Sequence, residues 1–72
     1  MDKDKLEHLN RLDKSINKGS ELLSMEDYTI SIVINDKVSI NEEDVIHKNV
    51  IRALKQAVDK ELYKLKTEFK NL

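Results

Sequence analysis

Apolar residues recur at helical spacing through the C-terminal part of the chain, from Asn41 to Leu72. No proline or glycine interrupts this stretch, which predicts one amphipathic helix that continues to the last residue. Asn41 can cap the first free amides, and the acidic residues after it suit the positive end of the helix dipole. Ile40 and Val45 have the spacing of a hydrophobic staple. We therefore predict that this helix begins at Asn41.

The apolar face of this helix is broad near its start and narrows to a single seam further on. The seam steps by four and three residues, as a helix does where it packs on one other helix. We predict that it forms an interface with another copy or another partner, through Val58, Leu62, Leu65, Phe69 and Leu72.

The length of the C-terminal helix supports that prediction. A helix of about 29 residues is about 44 Å long. A compact domain of this size has a radius of gyration of roughly 11 Å, hence a diameter near ~29 Å. We expect the helix to extend beyond its own domain, where either the N-terminal helix or another chain covers it.

Residues 2–18 predict a first helix, with its apolar residues on one narrow face and Gly19 at the position after its C-terminus. A helix with so few apolar residues is marginal alone in water, so it must lie on something, and the seam is the obvious surface. Residues 20–27 combine apolar residues with turn formers and predict a short helical turn or connector.

Residues 28–34 alternate as a strand does, and residues 37–40 are the predicted partner strand. Asn35 and Asp36 tolerate positive φ and favour a tight turn. A two-residue loop would put Val38 and Ile40 on the face opposite to the isoleucines of the first strand. A three-residue loop pairs Ile34 with Val38 and puts five apolar residues on one face, which the root of the C-terminal helix can cover.

These elements predict an α+β fold in one small domain spanning residues 1–72. Its order is an N-terminal helix, an antiparallel β-hairpin and a long C-terminal amphipathic helix. A lone hairpin has two open edges, so pairing of hairpins between chains is a second route to assembly.

Size and composition make a stabilising partner plausible on physical grounds. A 72-residue domain buries only about 60% of its unfolded surface. The chain has no cysteine, so oligomerisation is the remaining common way to stabilise it. The formal charge of −1 is unlike that of a strongly basic nucleic-acid-binding domain. The absence of an apolar run of membrane-spanning length and of a signal-peptide core predicts a cytoplasmic protein.

The sequence offers few candidate catalytic or metal-binding residues. Gly19 is the only glycine, and no P-loop or nucleophile elbow can be built around it. His8 and His47 each follow a carboxylate by one helical turn, which suits a general base or metal ligand, but also an ordinary helical ion pair. We adopt the ion-pair interpretation, with His47 partly buried near the hairpin. The acidic run 42–44 is explained by a helix start. We predict no enzyme activity, metal or cofactor.

One flank of the C-terminal helix is basic and carries Lys48, Arg52, Lys55, Lys66 and Lys70 within about 60° of one another around the helix. Such a stripe suits either solvent or phosphate groups, and Asp59 interrupts it. The alternative functional hypothesis is therefore a phosphate-ligand binder, either a nucleotide sponge or a weak nucleic-acid-binding protein. It would use Lys48, Arg52 and Lys55.

The layout of an amphipathic opening (MDKDKLEHLNRLDKSINKG), a hairpin (YTISIVINDKVSI) and a charged terminal helix resembles small bacteriophage and mobile-element accessory proteins. That resemblance implies a protein that blocks a host enzyme or defence system by docking onto it or by sequestering its signalling nucleotide. Our leading hypothesis is a non-catalytic, homo-oligomeric interaction protein that binds and inhibits another macromolecule. Its partners would be a second copy of itself and another protein, with a nucleotide or nucleic acid as the alternative.

Overall fold

The computed structural model describes residues 2–71, and a β-hairpin joins two long helices in it. The elements in chain order are helix α1 (Lys3–Ser24), a 3₁₀ turn (Asp27–Thr29), strand β1 (Ile32–Ile34), strand β2 (Val38–Ile40) and helix α2 (His47–Lys70). This α-β-β-α order confirms the predicted α+β architecture.

The two helices lie side by side and run in opposite directions. His8, near the start of α1, contacts Glu68 near the end of α2, while Met25, just after α1, contacts Lys55. Asp2 caps α1 by accepting a hydrogen bond from the Asp4 amide at 3.2 Å. Since α1 lies along α2 between these contacts, the N-terminal helix covers the C-terminal helix there, which is the first of the two expected alternatives.

The molecule is elongated, with dimensions of 49 × 24 × 14 Å and a radius of gyration of 15.2 Å. The compact body expected from the chain length is therefore wrong. Two paired helices of 22 and 24 residues account for about 36 Å of the long dimension, because a helix rises ~1.5 Å per residue. The length of α2 by itself thus gives no argument for a second chain.

Helix α1 does not end at Gly19, which lies well inside it. A Cβ atom at Gly19 would come within 2.7 Å of Leu62 Cδ2 and 3.3 Å of Val58 Cγ1. Glycine inside a helix costs about 1 kcal/mol relative to alanine, and here its missing side chain lets α1 approach α2 closely. The helix continues to Ser24, whose hydroxyl donates to the Glu21 carbonyl at 2.7 Å.

Helix α2 begins at His47 and not at Asn41. Asn41 does form local capping bonds, because its Oδ1 accepts from the Glu43 amide at 3.1 Å and its own amide donates to Asp44 Oδ2 at 2.8 Å. These bonds close a turn instead of starting a helix. The predicted staple is also wrong, since Val45 is 97% exposed.

The predicted hairpin register is confirmed, with Ile34 paired to Val38 and Ile32 to Ile40. The three-residue loop has positive φ at Asn35 (52°) and Asp36 (58°), and asparagine and aspartate are the residue types other than glycine that tolerate it best. Both strands are shorter than expected. The residues expected to begin β1 form the 3₁₀ turn, where Thr29 Oγ1 donates to the Glu26 carbonyl at 2.7 Å.

Candidate interaction surfaces

The hairpin is attached to α2 through a small buried cluster at the start of that helix. Ile51 is fully buried, and Ile30 and His47 are each 5% exposed. His47 Nε2–H donates to the Ile30 carbonyl at 2.7 Å, which satisfies a backbone acceptor that would be costly to bury alone. His47 therefore has a structural role. Its burial near the hairpin was expected, but the expected ion pair with Glu43 is wrong, because the ring bonds the Ile30 carbonyl instead.

Lys55 on α2 binds the short segment that follows α1. Its ammonium group lies 2.5 Å from Asp27 Oδ1 and donates to the Met25 carbonyl at 2.6 Å. The hydrogen bond from Lys55 lowers the pKa of Asp27, with smaller contributions from the charges of nearby bases. The charge of Lys55 is thus already matched by a partner in the chain.

The three candidate phosphate-binding residues consequently differ in their exposure and in whether their charge is paired. Lys48 and Arg52 are exposed on α2, whereas the Lys55 side chain is only 22% exposed and engaged with Asp27. A phosphate would have to compete with the Asp27 carboxylate for Lys55. This arrangement gives the phosphate-binding alternative no specific structural support.

The predicted seam residues have different environments in the structure. Leu62 is 5% exposed and packs against α1 at Gly19. Val58 and Leu65 are partly buried, and Phe69 is 41% exposed. Leu72 lies outside the described residues. The seam is therefore partly used inside the chain, by α1.

A groove of about 280 Å³ runs between the helices on one side of the pair. Its walls are almost entirely apolar, and Glu61 is the one charged residue among those that line it. We call this surface the groove face. It is lined by Ser15, Gly19, Ala57, Val58, Glu61, Leu62 and Leu65.

A second depression between the same helices has a different character. It contains two charged residues, Asp59 and Lys66, together with Ser20, Leu23 and the 77% exposed Tyr63. Leu62 lines this depression as well as the groove face, since its side chain lies between the helices. We call this second surface the polar face.

The segment between the helices exposes most of its apolar side chains. Val33, Ile34 and Val38 in the hairpin are 58%, 52% and 52% exposed. Val45 and Ile46 in the turn before α2 are 97% and 55% exposed. The sheet has two strands in the described chain, so backbone groups along its edges are open to pairing as well. We call residues 28–46 the apolar connector.

Sequence reasoning missed this exposure, because we expected the start of α2 to cover all five apolar residues on one face of the hairpin. Ile30 is buried and Ile32 and Ile40 are partly buried, but Ile34 and Val38 extend beyond this cover. A signal was present in the sequence. Val33 is apolar on the face opposite Ile32 and Ile34, and a small domain cannot bury both faces of a hairpin.

Within residues 2–71, no three His, Cys, Asp or Glu side chains are grouped so that they would hold a metal ion. His8 forms an exposed pair with Glu68 at 2.8 Å, across the two helices and not with the carboxylate one turn earlier. No helix in the described part of the chain is long and apolar enough to span a membrane.

Comparison with protein-family models, curated proteins and solved structures found no match to this chain.

Proposed function

We propose that this chain is a small non-catalytic interaction protein that binds another protein through its apolar connector. The exposure of the hairpin side chains carries this proposal. Isolated exposed apolar residues are common on soluble proteins, but a contiguous exposed apolar patch marks an interaction surface. Here Ile34 and Val38 are paired neighbours on one face of the hairpin, Val33 lies on the other face, and each is more than half exposed.

The open strand edges add a second means of binding. An extended segment of a partner can pair with an exposed edge through main-chain hydrogen bonds, while apolar side chains supply specificity. Neither β1 nor β2 contains a charged residue, although charges are a common way of protecting an edge from pairing. The connector therefore offers both backbone groups and apolar side chains to a partner.

The test compares wild type with the double variant Val33→Lys, Ile34→Lys in affinity capture from a lysate of the source organism. We expect wild type to retain a defined protein that the double variant does not. Both side chains are exposed, so the free energy of unfolding should change by less than about 1 kcal/mol for the pair. Urea unfolding verifies that the variant remains folded.

A matched control places a charge on the polar face, with Tyr63→Lys. This variant should retain the same protein as wild type, and the purified partner should bind both with similar affinity in calorimetry. Equal retention by the connector variant and wild type would contradict the proposal. So would the absence of any retained protein.

A further inference from the structure

Within residues 2–71, no second layer of structure covers the helix pair. Helices α1 and α2 pack on each other, and α2 also contacts the 3₁₀ turn near its start. Stable domains are usually built from two packed layers, because a single layer leaves one side of each element without a partner. On the groove face, Ser15 and Ala57 are exposed to solvent.

The buried core is also small for the length of the chain. Among residues 2–71, four apolar side chains are buried: Leu12, Ile30, Ile51 and Leu62. A core of this size stabilises a domain only slightly, and small domains commonly gain the rest from disulfides, metals or oligomerisation. The chain contains no cysteine. Association with another layer of helices would enlarge the core.

We infer that a second copy of this chain covers the groove face, so that two helix pairs stack across a two-fold axis into a four-helix arrangement. In such a dimer the same patch of both copies meets itself. A mainly apolar groove can do this, because Glu61 is the one charged residue of each copy among those that line it. The polar face, with Asp59 and Lys66, would remain in water.

The available area fits a dimer of ordinary size. A helix pair about 36 Å long and ~20 Å wide offers on the order of 700 Å² per copy if the whole side of the pair takes part, with the groove face as its apolar centre. That area is close to the ~800 Å² per partner of a standard interface. Val58 and Leu65, which are partly buried in the single chain, would become fully buried. The inference concerns a different surface from the apolar connector and does not depend on the proposed function.

The first experiment measures mass by sedimentation equilibrium for wild type, Ser15→Glu and Ser20→Glu. Ser15 lines the groove face and Ser20 the polar face, and both are exposed positions on α1. Wild type should reach twice the chain mass of 8.4 kDa at concentrations up to about 1 mM. Ser15→Glu should raise the dimer dissociation constant at least about tenfold, because it buries an unpaired carboxylate. Ser20→Glu should leave it unchanged.

The second experiment measures distances within the dimer, at concentrations where sedimentation equilibrium shows the labelled variants to be dimeric. Because the chain has no cysteine, Ser15→Cys and Ser20→Cys each provide a single attachment point for a spin label. Labels at position 15 should lie much closer across the dimer than labels at position 20, which are separated by two helix layers of ~10 Å each.

Three results would overturn the inference. The first is a wild-type chain that remains monomeric throughout the concentration range. The second is a dimer that both glutamate variants weaken equally, or that neither weakens. The third is a pair of label distances in which position 20 is as close as position 15, which would place the contact on another face.

Discussion

The contact between α1 and α2 and the hairpin between them use the same kind of side chain with opposite results. Leu12 and Leu62 in the helix pair are each 5% exposed, whereas Val33 and Val38 in the hairpin are 58% and 52% exposed. The helices have 22 and 24 residues, about six turns each, whereas each strand has three residues. The hairpin is covered by α2 only where its first residues meet the helix start.

This difference separates stability from availability for binding. The helix pair and the cluster around Ile51 hold the fold, because they remove apolar surface from water. The outer half of the hairpin contributes little to stability, so its side chains remain free to contact another protein. We expect substitutions to follow this division, with large effects on unfolding at the helix contact and small effects in the hairpin.

The largest expected effect is that of Leu62→Ala. Removing most of a buried leucine side chain usually costs 2–5 kcal/mol, about the size of the total stability of a domain this small. Urea unfolding followed by circular dichroism should show a strong loss of stability or a largely unfolded chain. Val33→Ala, in the hairpin, is the matched control and should change the free energy of unfolding by less than about 0.5 kcal/mol. Similar losses at both positions would contradict the comparison.

A smaller effect is expected where the two helices approach most closely, at Gly19. Gly19→Val should destabilise the chain by about 1–3 kcal/mol, because the new side chain collides with Leu62 and Val58. The neighbouring exposed position supplies the control, Lys18→Val, which introduces the same residue into the same helix. Thermal unfolding should place the control close to wild type. A Gly19→Val variant as stable as the control would mean that the helices do not meet at this point.

The smallest expected effect concerns the ion pair between Asp27, in the 3₁₀ turn, and Lys55 of α2. Because Lys55 lowers the pKa of Asp27 below its ordinary value of 3.8 in the folded state, this carboxylate stabilises the fold at pH values above 3.8. The contribution is lost as the pH falls through the folded-state pKa. Asp27→Asn should therefore be less stable than wild type at neutral pH, and the difference should vanish in acid.

Urea unfolding at a series of pH values measures this difference. The matched control is Asp36→Asn in the hairpin loop, where asparagine also tolerates the left-handed backbone. Nuclear magnetic resonance titration of the Asp27 carboxyl in Lys55→Met should show its pKa returning toward 3.8. A stability gap between wild type and Asp27→Asn that persists in acid would show that Lys55 does not act through the carboxylate charge.

The hairpin shows how much of the fold local pattern can predict. Its register follows from the demand that Ile32, Ile34, Val38 and Ile40 share a face, and its loop from residues that accept positive φ. Both are decided over a few neighbouring residues. The extent of the exposed surface was not predictable in this way, because it depends on how far α2 reaches over the sheet.

The helix ends show where local pattern fails. Gly19 has the sequence signature of a helix end, but α1 continues through it. The absence of a side chain at this position lets α1 lie close to α2. Asn41 makes the bonds of a helix cap, but they close a turn before His47. The groove face was likewise only partly predictable, since Val58, Leu62 and Leu65 follow from helical spacing while Ser15 and Gly19 come from the other helix.

The sequence by itself determined that two amphipathic helices flank a hairpin, and it determined the register of that hairpin. Helical periodicity, strand periodicity and turn preferences all act over short distances along the chain. The tertiary structure decided that α1 lies along α2, that Lys55 is held by Asp27, and that one groove and one end of the hairpin stay uncovered. These features depend on which distant residues meet, and the spacing of residues along the chain does not specify that.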